Sequence, residues 1–555
     1  MADTTPAGTP IDALADRFAL RLAETDPVEA TAVGITDFDD RLTDFSPGGV
    51  EARAALARET LAELDRLVAE NDADRVTAAS LRERLGVHLD LAAAGRDVGE
   101  LNVIASPLQA IRDVFDLMPA GTPDADAVLS ARLAAVPTSV DSAISGLRSR
   151  LADGGHPFPE LQVRECLAQA RLAGDQVAAN VERMAGAAPS ADDPVRSGLA
   201  DGVRAAFARF AEVLENEVAP VAVPVGAPGG LGVGREAYPV YSRAFLGSAV
   251  DLEETYAWGQ ELLASIVAEQ REVAGRLYPG ATVAETLAKL DTEPRYVLHG
   301  TDALREWMQR TSDESVRALA GTHFDIPEQL HHLDCRIAPS SSGGIYYTGP
   351  SADLSRPGAM WWSVPQGVTE FHTWQEKTTV YHEGVPGHHL QIGQAVIAPL
   401  NRWRKLYSFT SGHGEGWALY AERLMRDLGF LDDDGDLMGM LDSQRLRAAR
   451  VVLDIGVHCG FAAPAEVGGG DWTYDKGWAF LRSHVAMSDE QLRFEYHRYL
   501  GWPGQAPSYS VGQRVWERAR DEYLAGHPGS TVRDFHRDAL ALGGMGLDTL
   551  RTALR

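Results

Sequence analysis

Cysteine is scarce: Cys166, Cys335 and Cys459 are the only three in 555 residues, far apart and without a CxxC pair. That spacing gives no disulfide framework and fits a reducing compartment. Basic residues are also short, with 51 Lys and Arg against 79 Asp and Glu and a formal charge of -28. A nucleic-acid partner is excluded, because phosphate binding needs a basic surface, and an anionic membrane is excluded for the same reason. No apolar run of 18 residues occurs, and MADTTPAGTPIDALADRF at the start has no basic segment followed by an apolar one. Neither export nor membrane insertion is indicated, so a cytoplasmic location is the expectation. The oligomeric state is left open. What is present, 45% hydrophobic and 23% charged residues, is enough to bury a sizeable core, and the acidity reads as a solvated surface.

The first 220 or so residues read as amphipathic helices. Val203, Phe207, Phe210 and Leu214 recur at offsets of 4, 3 and 4, and Leu61, Leu64 and Val68 do likewise. The Pro- and Gly-dense run APVAVPVGAPGGLGVGRE cannot be regular helix, and it separates an N-terminal helical lobe (1–220) from a catalytic helical lobe (236–555). Asp251 is placed to cap a helix, with Glu254 at the third position of a capping box. Between Cys335 and Pro365, aromatic pairs and an SRPG turn predict a small antiparallel β-sheet of two or three strands. Helical texture returns beyond Glu370, and no fixed-period repeat occurs. The fold class is therefore mainly α.

Tyr381 to Ile392 reads YHEGVPGHHLQI. His-Glu followed shortly by His is what a helix-borne zinc site with an adjacent general base requires: imidazoles hold the metal while the Glu faces a water. In zinc peptidases the second His commonly stands at offset 4, which here is Pro386. On a straight helix His388, at offset 6, lies about 120° around from His382, and His389, at offset 7, lies about 10 Å along the axis. Pro386 removes a helical hydrogen bond and Gly387 tolerates unusual dihedrals, so a two-residue bulge is expected to bring His388 into place. His389 remains the alternative second ligand.

A third ligand is sought on a following helix. SGHGEGWALYAE, from Ser411 to Glu422, offers Glu415 with Ala418 three residues on, which resembles the ExxA pattern of gluzincins, where a small residue lets the ligand helices approach. Five of the 16 histidines, His372, His382, His388, His389 and His413, fall within 42 residues, where uniform placement gives about 1.2. Zinc held by two imidazoles and one carboxylate leaves a position for water, whose proton Glu383 would accept.

HEGVPGHHLQ resembles the bacterial family called domain of unknown function 885, whose members carry HExxPGHH followed by an EGWALY segment. IYYTGPSADLSRPGAMWW, RVVLDIGVH and WPGQAPSYSVG resemble three further family blocks, so the resemblance spans roughly Gly343 to Gly512. SADLSRPG stands where members often have a DGSRPG-like turn, and QAPSY where QALSY is usual. The family is in turn similar to gluzincin metallopeptidases related to thimet oligopeptidase, angiotensin-converting enzyme and carboxypeptidase Taq. That similarity implies two helical lobes flanking a deep cleft, one Zn2+ per chain and short peptides as substrates. It also implies His388 over His389, because GHHL corresponds to a GHAL-type end.

The expected function is a zinc-dependent hydrolase of short peptides. Its alternatives are an inactive peptide-binding or scaffold protein on the same fold, or a zinc hydrolase of non-peptide amides or esters. Tyr509 and His458 are candidate oxyanion donors, although Asp454, four residues before His458, would equally pair with it. Tyr346 and Tyr347 are candidates for pairing with extended substrate, and Arg356 and Arg450 for binding a substrate carboxylate. Glu422 is a candidate partner for a ligating histidine, and His413 is assigned a loop or capping role.

Overall fold

The computed structural model describes residues 8–154, 156–184, 194–338, 344–351 and 354–555. Gly343 and the Ala352–Asp353 pair of the aromatic-rich stretch lie outside them. The chain divides into two units, Met1–Tyr241 with Val457–Trp478 and Glu490–Pro503, and Ser242–Gly456 with Ala479–Asp489 and Gly504–Arg555.

In the first unit, helices start where short polar side chains accept a backbone N–H. Thr9 receives Asp12, Ser46 receives Gly49 and Thr122 receives Ala125, each followed by a proline whose missing N–H costs nothing there. The Val203, Phe207, Phe210, Leu214 stripe is buried against Leu133, Val136, Val140, Ala173 and Val177. Each such side chain contributes about 1.5–3 kcal/mol. The second stripe fails at its end: the helix Pro47–Leu64 stops at Leu64, and Val68 is 81% exposed. Residues 219–236 hold one short 3-10 turn, Ala219–Val221. The first unit continues past them to Tyr241 and takes in two later segments. Such a return of the chain carries no local sequence mark.

The second unit is helical with two small sheets. Asp251 caps the helix Leu252–Leu277, accepting from Glu254 N–H at 2.9 Å. The capping box is not completed, because the Glu254 carboxylate accepts from Arg514 instead. Strands β1 (Val297–His299) and β5 (Glu370–His372) pair antiparallel. Strands β2 (Asp334–Ile337), β3 (Ile345–Thr348) and β4 (Ala359–Trp362) form a second sheet in the order β2-β4-β3. This sheet corrects the antiparallel expectation: β4 is antiparallel to β3 but parallel to β2. Aromatic alternation marks strands without fixing their direction, so the sequence could not tell the two apart. Met360 and Trp362 of β4 pack with Leu304 and Met308 of the helix Thr301–Leu319 and with Val380. Val380 lies two residues before His382, so this core backs the helix that carries the His-Glu pair.

Candidate metal centre

His382 and Glu383 are the last two residues of the helix Thr373–Glu383, and His388 is the first residue of the next, His388–Ile397. The expected bulge within one helix is thus a complete break. Pro386 offers no N–H to continue the ladder, and the Val385–Pro386 peptide is cis. Gly387 N–H turns back to the Tyr381 carbonyl at 3.1 Å. A Cβ on Gly387 would stand 1.9 Å from the His382 carbonyl oxygen, so only glycine fits this close approach. Trp417, from the EGWA segment, donates its indole N–H to the Pro386 carbonyl at 2.8 Å and fixes the break from the neighbouring helix.

That neighbour, Ser411–Asp427, presents Glu415. It crosses the helix Ser508–Gly526 backbone to backbone. A Cβ on Gly416 would lie 2.4 Å from the Gly512 carbonyl carbon, and one on Gly512 would lie 2.2 Å from the Gly412 oxygen. Glycines flanking Glu415, more than the expected Ala418, therefore set how deeply it sits.

The break and the crossing bring His382, His388 and Glu415 together, with one ligand atom of each within 4.8 Å of the others. Glu415 Oε2 is 3.2 Å from His382 Nε2 and 3.6 Å from His388 Nε2. The imidazole rings stand at 89° with centroids 4.9 Å apart. Donors about 2.0–2.2 Å from a common tetrahedral cation lie roughly 3.4 Å from one another, so the set fits zinc.

Glu422, two turns beyond Glu415, accepts from His382 Nδ1 at 2.8 Å, and its other oxygen accepts from Thr378 Oγ1 at 2.8 Å. With a cation in place, a proton held on Nδ1 would leave the Nε2 lone pair for the ion. Thr378 and Trp417 were not singled out from sequence, because their types carry no metal signal. His388 Nδ1 is buried without a hydrogen-bond partner.

Charge in the cluster is strongly perturbed. Burial works against protonation of His382, but hydrogen bonds to Glu415 and Glu422 and the charge of Glu383 push it up to about 10. Burial alone would raise Glu415, yet the two imidazoles hold it well below the usual carboxylate range. Burial raises Glu383, opposed by His388 and His382. Among the described residues no lysine or arginine hydrogen-bonds to Glu383, Glu415 or Glu422. Three carboxylates with two imidazoles suit a divalent cation.

His389 is turned away from this cluster: its Nε2–H donates to the Leu330 carbonyl at 3.0 Å and its Nδ1 accepts from Tyr347 Oη at 3.0 Å. Both ring nitrogens are engaged, and burial pushes it down to about 4. Tyr346, 40% exposed, stacks on Trp361. Burial raises the Tyr347 phenol, Arg356 opposes and Glu383 adds to the rise. Arg356 is exposed and donates to the Gly349 carbonyl at 3.0 Å. The guanidinium carbons of Arg450 and Arg447 lie 5.0 and 5.9 Å from the centre of the Tyr509 ring. Arg447, which also acts on Glu383, was missed from sequence.

His458 belongs to the first unit. Its Nε2–H donates to the Tyr499 carbonyl at 3.0 Å, and its Nδ1 accepts from Val233 N–H at 3.3 Å. With both nitrogens on backbone, it is not brought to the cluster as an oxyanion donor. Asp454 accepts instead from Gly504 N–H. His413 is buried between Phe409 and Trp516, accepting from Gln391 at 3.2 Å.

The whole chain is similar to two solved structures, both described as a "putative lipoprotein", the second also as of unknown function. The protein of Colwellia psychrerythraea shares 20% identity over 98% of each chain, with a TM-score of 0.80. That of Shewanella oneidensis shares 14% identity over 98% of this chain and 99% of that one, with a TM-score of 0.75. No functionally curated protein matches the sequence. The lipoprotein descriptions overturn the cytoplasmic expectation. Three isolated buried thiols hold no record of the compartment they come from. The family model described as "Bacterial protein of unknown function (DUF885)" matches residues 27–554, and the chain therefore belongs to that family.

Proposed function

We propose that the chain is a zinc-dependent hydrolase that cuts peptide bonds of short peptides, akin to the gluzincins, with Glu383 as general base. The observation that carries this reading is the convergence of His382, His388 and Glu415 donor atoms within 4.8 Å, beside a buried Glu383 that no lysine or arginine among the described residues pairs. A zinc ion held there supplies Lewis acidity, polarising a carbonyl and making a water more acidic. Glu383 takes the proton from the attacking water and returns it to the leaving nitrogen. Glu422 and Thr378 hold His382 in one tautomer and orientation. Tyr509 is the donor toward the carbonyl oxygen. Strand β3 is an edge of its sheet among the described strands, and its backbone supports pairing with an extended peptide beside Tyr346. The lipoprotein-like neighbours support an extracytoplasmic setting.

The test is metal analysis of the purified protein together with hydrolysis of a mixed peptide library. Stoichiometric zinc is expected. Glu383→Gln should cut turnover by about 10²–10⁴-fold while retaining the metal. A wild-type protein that binds no divalent cation and cuts no peptide overturns the reading. Cleavage confined to small amides or esters reassigns the substrate.

A further inference from the structure

We propose that Arg447 and Arg450, whose guanidinium groups flank the ring of Tyr509, receive the C-terminal carboxylate of the peptide, so that the enzyme removes short fragments from the C-terminus. This rests on the hydrolase reading above and names its substrate end.

Arg447 and Arg450 lie three residues apart on the helix Asp434–Cys459, on one face, and both guanidinium groups converge on the ring of Tyr509. Two cations brought to one phenol repel each other, and an anion between them removes that cost. Arg447 donates to the carbonyl and the hydroxyl of Ser443, both through one terminal nitrogen. Its Nε is buried with no hydrogen-bond partner, and it makes no ion pair among the described residues. In a chain with 28 surplus negative charges, leaving a guanidinium without a carboxylate is informative. A guanidinium offers a planar fork that a carboxylate fills with two parallel hydrogen bonds. Asp442, whose charge Arg447 also favours, makes no ion pair with it.

Location decides which carboxylate. Arg447 is close enough for its charge to act on Glu383. Besides the histidines of the cluster, the cation whose charge acts on Glu383 is Arg447, so this corner favours an anionic group of the substrate. An extended peptide advances roughly 3.4 Å per residue. A carboxylate held here therefore ends a peptide only a short way beyond the bond that Glu383 attacks. Arg356, exposed and bonded to the Gly349 carbonyl, has no such position.

Acetyl-Ala-Ala-Ala and its C-terminal amide distinguish the outcomes. Binding of each is measured by calorimetry to the zinc-loaded Glu383→Gln protein, and hydrolysis of each to the wild type. The free acid should bind at least about tenfold tighter than the amide. Arg447→Met should abolish that difference, and Arg447→Lys should restore part of it, with unchanged circular dichroism showing that both variants fold. In wild-type kinetics the amide should show a raised KM with little change in kcat. Equal binding of acid and amide, or a preference that survives Arg447→Met, overturns the proposal even if peptides are cut. An Arg447-dependent preference in a protein that hydrolyses neither compound leaves the carboxylate site standing and sinks the hydrolase reading instead.

Discussion

His382 gives its Nδ1 proton to Glu422 at 2.8 Å, and Glu422 is itself held by Thr378 Oγ1 at the same distance. This chain of two bonds is what aims the opposite nitrogen, Nε2, at Glu415. Glu422→Gln keeps the shape but replaces an ionised acceptor by an amide. Zinc affinity should fall about 10–100-fold, read by competition with a chromogenic chelator. An unchanged affinity would show that Glu422 does not orient His382.

His388 and His389 are adjacent in sequence but employed differently. His388→Ala should abolish stoichiometric zinc by elemental analysis. Tyr347→Phe, which removes the phenol donating to His389, should leave zinc content intact and cost about 0.5–1.5 kcal/mol in denaturant unfolding. The reverse pattern would make His389 the ligand.

The Gly416–Gly512 crossing leaves no room for a methyl group, since either Cβ would approach backbone atoms within 2.4 Å. Gly416→Ala should force the helices Ser411–Asp427 and Ser508–Gly526 apart, lowering stability by about 1–3 kcal/mol. Because Glu415 is the preceding residue, zinc affinity should drop as well. A loss of stability with full zinc affinity would separate the crossing from the site.

Glu376, on the same helix as His382, is a recessed carboxyl with no hydrogen-bonding or ionic partner among the described residues, and burial raises it from 4.5 to about 7. The sign follows from proton binding: between these values the folded state holds a proton that the unfolded state has released. Stability from this group is therefore full below about pH 4.5 and is lost as pH rises to about 7. Glu376→Gln should flatten that part of the melting-temperature profile and be the more stable protein at pH 8. A difference curve that is level with pH would remove Glu376 as the cause.

The cluster of His382, His388 and Glu415 was legible because imidazole and carboxylate in the order HE, PGHH and EGWA carry their chemistry in their residue types. His388 was placed in the cluster by the sequence, though by a bulge that proved to be a full break. The buried stripe from Val203 to Leu214 was equally readable, since helical periodicity and burial are one fact. Strand direction was not, because β4 looks alike whether β2 runs with it or against it. His458 misled because its DIGVH setting looks chemical, while its nitrogens serve the backbone of Tyr499 and Val233. Arg447 was overlooked for the converse reason: nothing local distinguishes an arginine facing Tyr509 from one facing water.

Ending one helix at Glu383 and starting another at His388 sets the carbonyl end of the first against the amide end of the second. Aligned peptide dipoles give those ends about half an elementary charge each, negative and then positive. A carboxylate at the negative end clings to protons more firmly. Four residues of interrupted backbone thus create a standing local field at Glu383, which one continuous helix could not provide.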